Sequence, residues 1–264
     1  MRSVVGRRLD ATIGTQRTNQ LRGAERRLRA RLAELIAPHP SPTAASNPLE
    51  KYFFTNTGRL IDKWHHYFDI YDRHFSPFRN RPVTIVEFGV FHGGSLQMWK
   101  KYFGPQAHIY GVDINQKCAT LAEPQIEIVI GDQEDRGFLQ RVAKQTGPID
   151  ILVDDGGHFM GQQIATFEEL WPSIVDGGVY LVEDLHTSYW DHYGGGYLRD
   201  GTFIEYAKRL IDKQHSWHSH EPDRLAVDDY TTSMKGMHVY DSVIVIDKGR
   251  VSRPVRSKTG TPSF

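Results

Sequence analysis

Two short stretches gather acidic and histidine side chains in a pattern that can do chemistry: VDDGGH (153–158) and VEDLH (182–186). Asp155 and the pair Glu183-Asp184 are carboxylates that repel one another at a shared edge unless a cation or a proton lies between them. An all-oxygen set of this kind suits Mg²⁺, Mn²⁺ or Ca²⁺ and argues against zinc. A bound cation lowers the pKa of a coordinated hydroxyl and fixes its oxygen; a histidine can then remove the proton. His158 follows Asp155 by three residues across a Gly-Gly turn and is the first candidate for that base. His186, just behind Glu183-Asp184, is the second. Either one could instead serve only as a hydrogen-bonding loop residue. Asp154 suits a supporting place behind the cofactor or metal ligands.

A second group surrounds a glycine-rich turn, EFGVFHGGS (87–95), in which Gly89, Gly93 and Gly94 let backbone approach a ligand closely. The turn is not G-x-G-x-x-G, so on its own it does not select a cofactor. The acids around it do. A pyrophosphate would be repelled by the ring Glu87, Asp113, Asp132, Asp154, whereas S-adenosylmethionine carries a sulfonium and an ammonium and no phosphate. Glu87 would lie near its amino-acid end. Asp113, 24 residues past Gly89, is placed to accept both ribose hydroxyls, and Asp132 with Gln133 the adenine amino group. Taken singly, each acid could equally be a helix cap or loop residue.

These residues need a scaffold that brings strand ends together. VTIVEF (83–88), HIYGVD (108–113), QIEIVI (125–130), IDILVDD (149–155) and VYLVED (179–184) read as strands, with the acids just named at or just past their ends. Helices are predicted between them at Ser95–Phe103, Glu134–Lys144 and Gln162–Trp171, the last stopped by Pro172. Alternation of this kind implies right-handed βαβ units and a parallel sheet, with ligands outside the carboxyl ends of the strands. Upstream, the apolar stripe Leu60, Ile61, Trp64, Tyr67, Phe68 and Tyr71 predicts one helix over Gly58–Phe75. Downstream, Asp191–Gly201 with three successive glycines at 194–196 reads as a mobile loop, Thr202–Gln214 as a helix, and 234–249 as two antiparallel strands at a sheet edge. The tail from Arg250 reads as loose.

Composition is ordinary for a globular chain of 264 residues, with 39% hydrophobic and 24% charged residues. Basic and acidic residues balance at 32 each, which speaks against a nucleic-acid partner. No apolar run reaches transmembrane length, and Cys118 is the only cysteine, excluding an intrachain disulfide or a cysteine metal cluster. A cytoplasmic protein is the plain expectation. Residues 1–36 are an exception to the balance, with nine arginines against three acids. Leu21, Ala24, Leu28, Leu32, Leu35 and Ile36 predict a basic amphipathic helix there, for packing on its own domain, a second subunit or an anionic surface. A Pro/Ser linker follows at Pro38–Pro48. The expected organisation is an N-terminal helix and linker over 1–50, a catalytic domain over 51–250 and a tail over 251–264.

EFGVFHGGSLQMWKKYFG, GVDIN, GDQ, DDGGH and VEDLHTSYW together resemble the metal-dependent sugar O-methyltransferases of macrolide biosynthesis, the mycinamicin and tylosin type. They are also similar to the cephalosporin-pathway CmcI-type proteins and to mycobacterial methyltransferases of methylmannose polysaccharide. The resemblance runs from about Tyr52 to Lys248. It implies a Rossmann-like class I methyltransferase sheet of five parallel strands plus a C-terminal antiparallel hairpin, an S-adenosylmethionine cofactor, Mg²⁺ or Mn²⁺, and a saccharide or glycoside acceptor. Carried over by residue, it implies metal ligation by Asp155, Glu183 and Asp184, a base at His158, and cofactor contacts around Glu87, Gly89, Ser95, Asp113, Asp132 and Gln133. It also implies a homo-oligomer. Gly157 stands where the family usually has serine.

Other side chains have weaker claims. Trp64, His65, His66, Tyr67 and Tyr71 lie where the family closes over its ligands, and core packing accounts for about half of them. Tyr189, Trp190 and Tyr193 could stack on a sugar ring or simply pack. His215, Trp217, His218 and His220 read as a solvated loop. Three other functions compete: methylation of a catechol-like phenol, a non-catalytic partner protein of the same fold, and a nicotinamide-dependent dehydrogenase.

Overall fold

The structure, a computed structural model, describes residues 45–264, so the basic helix over 21–36 and most of the linker lie outside the described residues. A seven-stranded sheet forms the centre: β1 (Val83–Phe88), β2 (Ala107–Asp113), β3 (Ile126–Ile130), β4 (Ile149–Asp154), β5 (Ile174–Val182), β6 (Met234–Tyr240) and β7 (Val243–Lys248). Their order is β3-β2-β1-β4-β5-β7-β6. The first five run parallel, and β7 pairs antiparallel with both β5 and β6. The expected parallel sheet and terminal hairpin are therefore present, with β7 inside and β6 at the edge.

Strand alternation builds two apolar layers. Ile85, Ile151, Val153 and Leu181 face a cluster with Tyr67, Phe68, Tyr71, Phe75 and Trp99. Those residues come from α2 (Tyr67–Phe75) and α3 (Gly94–Phe103). Val86, Phe88, Leu152, Tyr180 and Val182 face the other cluster. It is closed by α4 (Arg136–Thr146), α5 (Met160–Leu170) and α6 (Phe203–Gln214), with a one-turn α7 (Asp229–Ser233) beside them. Both faces of the parallel strands are thus covered, as near-continuous apolar runs require.

The N-terminal side departs from the sequence reading. Asn47 and Pro48, placed in the linker, begin α1 (Pro48–Thr55): the Asn47 side chain accepts from the Glu50 amide at 2.9 Å, and proline occupies the first turn. The helix predicted over Gly58–Phe75 forms only from Tyr67. Residues 57–66 run instead as irregular chain across the open end of the sheet. Their backbone is held there by other contacts. The Arg59 carbonyl accepts from Asn56 Nδ2 at 2.8 Å, and a Cβ on Gly94 would come within 2.3 Å of the Leu60 carbonyl oxygen. That close approach is what Gly94 permits. The glycine run 194–196, read as a mobile loop, folds against residues 187–190: Gly195 and Gly196 donate to the Trp190 and Ser188 carbonyls at 2.9 and 2.8 Å.

Candidate active site

The sheet order reverses between β1 and β4, so their carboxyl ends splay into a crevice. A cavity of about 770 Å³ opens there. The turn after β1 forms its floor. Gly89 has φ +88°, and a Cβ on it would lie 1.9 Å from the Asp155 carbonyl oxygen, so only glycine lets the β1 and β4 turns meet.

One wall carries Asp113, at the end of β2. Its Oδ2 accepts the Val90 and Phe91 amides at 2.9 and 3.1 Å and its Oδ1 accepts from Asn115 at 2.8 Å. The carboxylate is thereby fixed on the glycine turn and still lines the cavity. Asp132, Gln133, Gly89, Gly94 and Ser95 line it too. Gln133 is also a brace: Nε2 donates to Asp154 and Thr166 at 2.6 and 2.9 Å, and Oε1 accepts from the Gly157 amide at 3.2 Å.

Three of the proposed cofactor residues, Glu87, Gly93 and Asp154, stand behind the cavity surface. Fully buried Glu87 accepts from Ser95 Oγ at 2.8 Å and Trp99 Nε1 at 3.1 Å. Burial pushes it up to about 7 despite the counteracting charge of Lys63. Asp154, likewise buried, sits under Gln133 and Tyr180 and is pushed up to about 6 by the same desolvation. Gly93, with φ +74°, caps α3.

On the opposite wall the acid cluster is built from three elements. Asp155 follows β4, Glu183 and Asp184 follow β5, and Lys63 reaches in from the irregular segment. The Lys63 ammonium is 3% exposed, lies 2.9 Å from Glu183 Oε2 and makes a short hydrogen bond to Asp155 Oδ2. Burial alone would lower Lys63; Asp155, Glu183 and Glu87 hold it well above its ordinary value. Two tyrosines of α2 complete the set. Tyr71 donates to Glu183 Oε1 at 2.6 Å and Tyr67 to Asp184 Oδ1 at 2.8 Å.

One ammonium does not balance this cluster. Burial, offset only in part by Lys63, pushes Asp155 up to about 7, and burial plus Asp155 pushes Glu183 up to about 8. His158 completes the group. Its Nε2 is 3.5 Å from Asp184 Oδ2 and 3.9 Å from Asp155 Oδ1, while its buried Nδ1 has no hydrogen-bond partner. Burial lowers its pKa, against the pull of Asp184, so the ring stays neutral at neutral pH. Ligand atoms of Asp155, His158 and Asp184 lie within 4.8 Å of one another. A buried carboxylate excess is an oxygen donor set that fits a divalent cation, with the imidazole beside it left free to act on a proton. Both His158 and Asp184 have left-handed backbone, with φ +59° and +54°, as strained residues at working sites often do.

His186 is turned elsewhere. Its Nδ1 faces Ser242 Oγ at 3.1 Å and its ring packs 4.6 Å from Trp190, off the cavity wall. Among the aromatics near the opening, Tyr67 and Tyr71 are buried, and Trp64, His65 and His66 are exposed. Tyr189 and Trp190 are exposed. Lys63 escaped the sequence reading because a lysine in a presumed amphipathic helix gives no sign of burial. The one hint was its position amid an apolar stripe.

Comparison with known proteins agrees with this geometry. Residues 86–185 match the family model described as a methyltransferase domain. The 8-demethyl-8-(2-methoxy-alpha-L-rhamnosyl)-tetracenomycin-C 3'-O-methyltransferase of Streptomyces olivaceus is 40% identical over 199 residues, covering 72% of this chain and 50% of that protein. The mycinamicin VI 2''-O-methyltransferase of Micromonospora griseorubida is 38% identical over 213 residues, covering 76% and 51%. Among solved structures, the MycE methyltransferase of the mycinamycin pathway, in complex with Mg, SAH and mycinamycin VI, superposes with a TM-score of 0.67 at 34% identity, covering 91% of this chain and 62% of that one. The chain spans about half the length of the curated relatives it matches. By sequence and by fold, residues 45–264 form a class I methyltransferase domain of the family to which these sugar O-methyltransferases belong.

Proposed function

We propose that this domain transfers a methyl group from S-adenosylmethionine to a hydroxyl of a sugar on a glycoside or other saccharide, with a divalent cation, Mg²⁺ or Mn²⁺, in the acid cluster. The observation that carries the reading is the meeting of His158, Asp155 and Asp184 on one side of a cavity whose other side holds Asp113 on a glycine turn. Acceptor type rests on the relatives, which act on rhamnosyl and mycinamicin substrates by name.

Asp155, Glu183 and Asp184 would hold the cation, which when bound lowers the pKa of an acceptor hydroxyl and neutralises the buried acids. Asp113 would accept from the ribose of the cofactor, with Asp132 towards the adenine and Glu87 acting from behind Ser95. His158 would take the acceptor proton at Nε2 while the hydroxyl oxygen receives the methyl group that the cofactor supplies when bound. Asp184, 3.5 Å from that nitrogen, stabilises the resulting imidazolium. His186, whose Nδ1 faces Ser242 Oγ outside the cavity lining, is given no step in this reading. In this reading the protein works in the cytoplasm, because the methyl donor is an intracellular metabolite, and as a homo-oligomer, as the family resemblance implies; size-exclusion chromatography checks the assembly.

The test is mass spectrometry of a panel of rhamnosides and other glycosides, with catechol in parallel, after incubation with labelled cofactor and Mg²⁺. Label on a glycoside, lost in EDTA and restored by Mg²⁺, is expected. Label on catechol alone would overturn the sugar acceptor, and full activity in EDTA the metal. No methylation of any acceptor by a chain that binds S-adenosylmethionine would favour a non-catalytic partner.

A further inference from the structure

A second cluster of ligand-type side chains lies at the other end of the sheet. His74 is in the last turn of α2, His238 in the middle of edge strand β6, and Asp247 near the end of β7. The hairpin register creates the meeting. Gly236 stands opposite Asp247, and His238, two residues on, returns to the same face. His238 Nε2 is 2.8 Å from Asp247 Oδ2, and His74 Nδ1 is 4.0 Å from Asp247 Oδ1. The two imidazole rings lie 4.6 Å apart. One ligand atom from each residue falls within 4.8 Å of the others.

The remaining ring nitrogen of His74 is accounted for as well. Nε2 pairs with Tyr240 Oη at 2.9 Å, and Tyr240 is again two residues along the same face of β6. With the Nε2 proton donated to the phenol oxygen, Nδ1 presents its lone pair to Asp247 and His238. Hydrogen bonding of the distal nitrogen is how metal-bound histidines are oriented. His74 is 7% exposed, whereas His238 and Asp247 are 42% and 36% exposed, so the group is anchored on one side and open to ions on the other.

We propose that His74, His238 and Asp247 form a second metal site, one for Zn²⁺ or a similar nitrogen-preferring transition ion. Two imidazoles and one carboxylate are a zinc donor set, with a fourth position left for water. The all-oxygen preference of Mg²⁺ makes it a poor occupant. This is therefore chemically distinct from the acid cluster. It is also spatially distinct: Asp247 pairs with Val179, four residues before Glu183, or about 13 Å along β5 at strand spacing. An ion here would tie the C-terminal hairpin to α2, the helix whose Tyr67 and Tyr71 hold Asp184 and Glu183 from behind. The site is a staple for the element that shapes the active site.

Zinc titration by calorimetry separates this site from the acid cluster when Asp155→Asn is the starting chain. That variant is expected to bind one equivalent of Zn²⁺ that a large excess of Mg²⁺ does not displace, and zinc is expected to raise its melting temperature. Adding His238→Asn, a half-exposed edge-strand change, should weaken that binding at least tenfold; Asp247→Asn should do the same. Circular dichroism verifies that each variant is folded. The proposal fails if Asp155→Asn binds no zinc, or if both second substitutions leave its zinc affinity unchanged. Neither failure bears on methyl transfer, which is read separately from label incorporation.

Discussion

His158 gains its proposed role from three circumstances at once: a neutral ring, a carboxylate within 3.5 Å, and a place on the cavity wall. Replacing it by glutamine keeps much of the volume and removes the base. A fall in kcat of about 10²- to 10⁴-fold is expected, with SAH affinity unchanged by calorimetry. Lys63 plays the opposite part, a built-in cation among acids that a metal would also neutralise. Lys63→Met leaves buried carboxylates unpaired, at a cost of about 3–5 kcal/mol. The variant should melt earlier in EDTA, recover with Mg²⁺, and bind Mn²⁺ more tightly than wild type in a spin-resonance titration. An unchanged melting temperature in EDTA would show that the ammonium is not balancing the cluster. Glu87 gives a pH-dependent case. Its folded-state pKa, about 7, lies above the unfolded carboxylate value, so the folded chain binds the proton more tightly. Stability contributed by that proton is complete at low pH and is lost as pH rises from about 4.5 through 7. Glu87→Gln should therefore raise the melting temperature relative to wild type above pH 7, with the advantage shrinking towards pH 5.

At the scale of elements, turns decide more than helices or strands. The turns after β1 and β4 touch backbone to backbone at Gly89 and Asp155, which sets the cavity floor and the aim of the Asp155 side chain together. Gly89→Ala places a Cβ 1.9 Å from a carbonyl oxygen at φ +88°, so both strain and clash apply. A loss of at least about 2 kcal/mol is expected, together with weaker SAH binding; wild-type affinity would mean that the turn can open without consequence. The strands themselves were legible from their β-branched runs, and four of the intervening and following helices from their periodicity and stops. The segment 57–66 was not. Its apolar spacing is helical, but its backbone hydrogen bonds and the charge of Lys63 are satisfied across the crevice, by contacts that no local pattern encodes.

For the molecule as a whole, two apolar layers sandwich the sheet and the cavity sits at one end, so ligand binding should be felt by the entire unit. SAH at a hundred times its Kd would add about 2.7 kcal/mol, or roughly 5–10 °C in melting temperature for a domain of this size. Differential scanning fluorimetry reads this directly, and the absence of any shift with SAH would remove the cofactor from the proposal. Among the described residues no helix is long and apolar enough to cross a membrane.

Strand positions, the glycine turn and the acids near strand ends could be derived from residue types alone, because apolar β-branched runs and turn chemistry are local properties. By the same route Asp113, Asp155, Glu183, Asp184 and His158 could be named as a set. Tertiary structure decided what each one faces. It put Glu87 and Asp154 behind the wall, turned His186 towards Ser242, and drove Lys63 between Asp155 and Glu183. It also joined His74 to His238 and Asp247 across 173 residues of chain. Such pairings depend on side-chain direction and burial, which follow from how distant elements pack and leave no periodic trace in the chain.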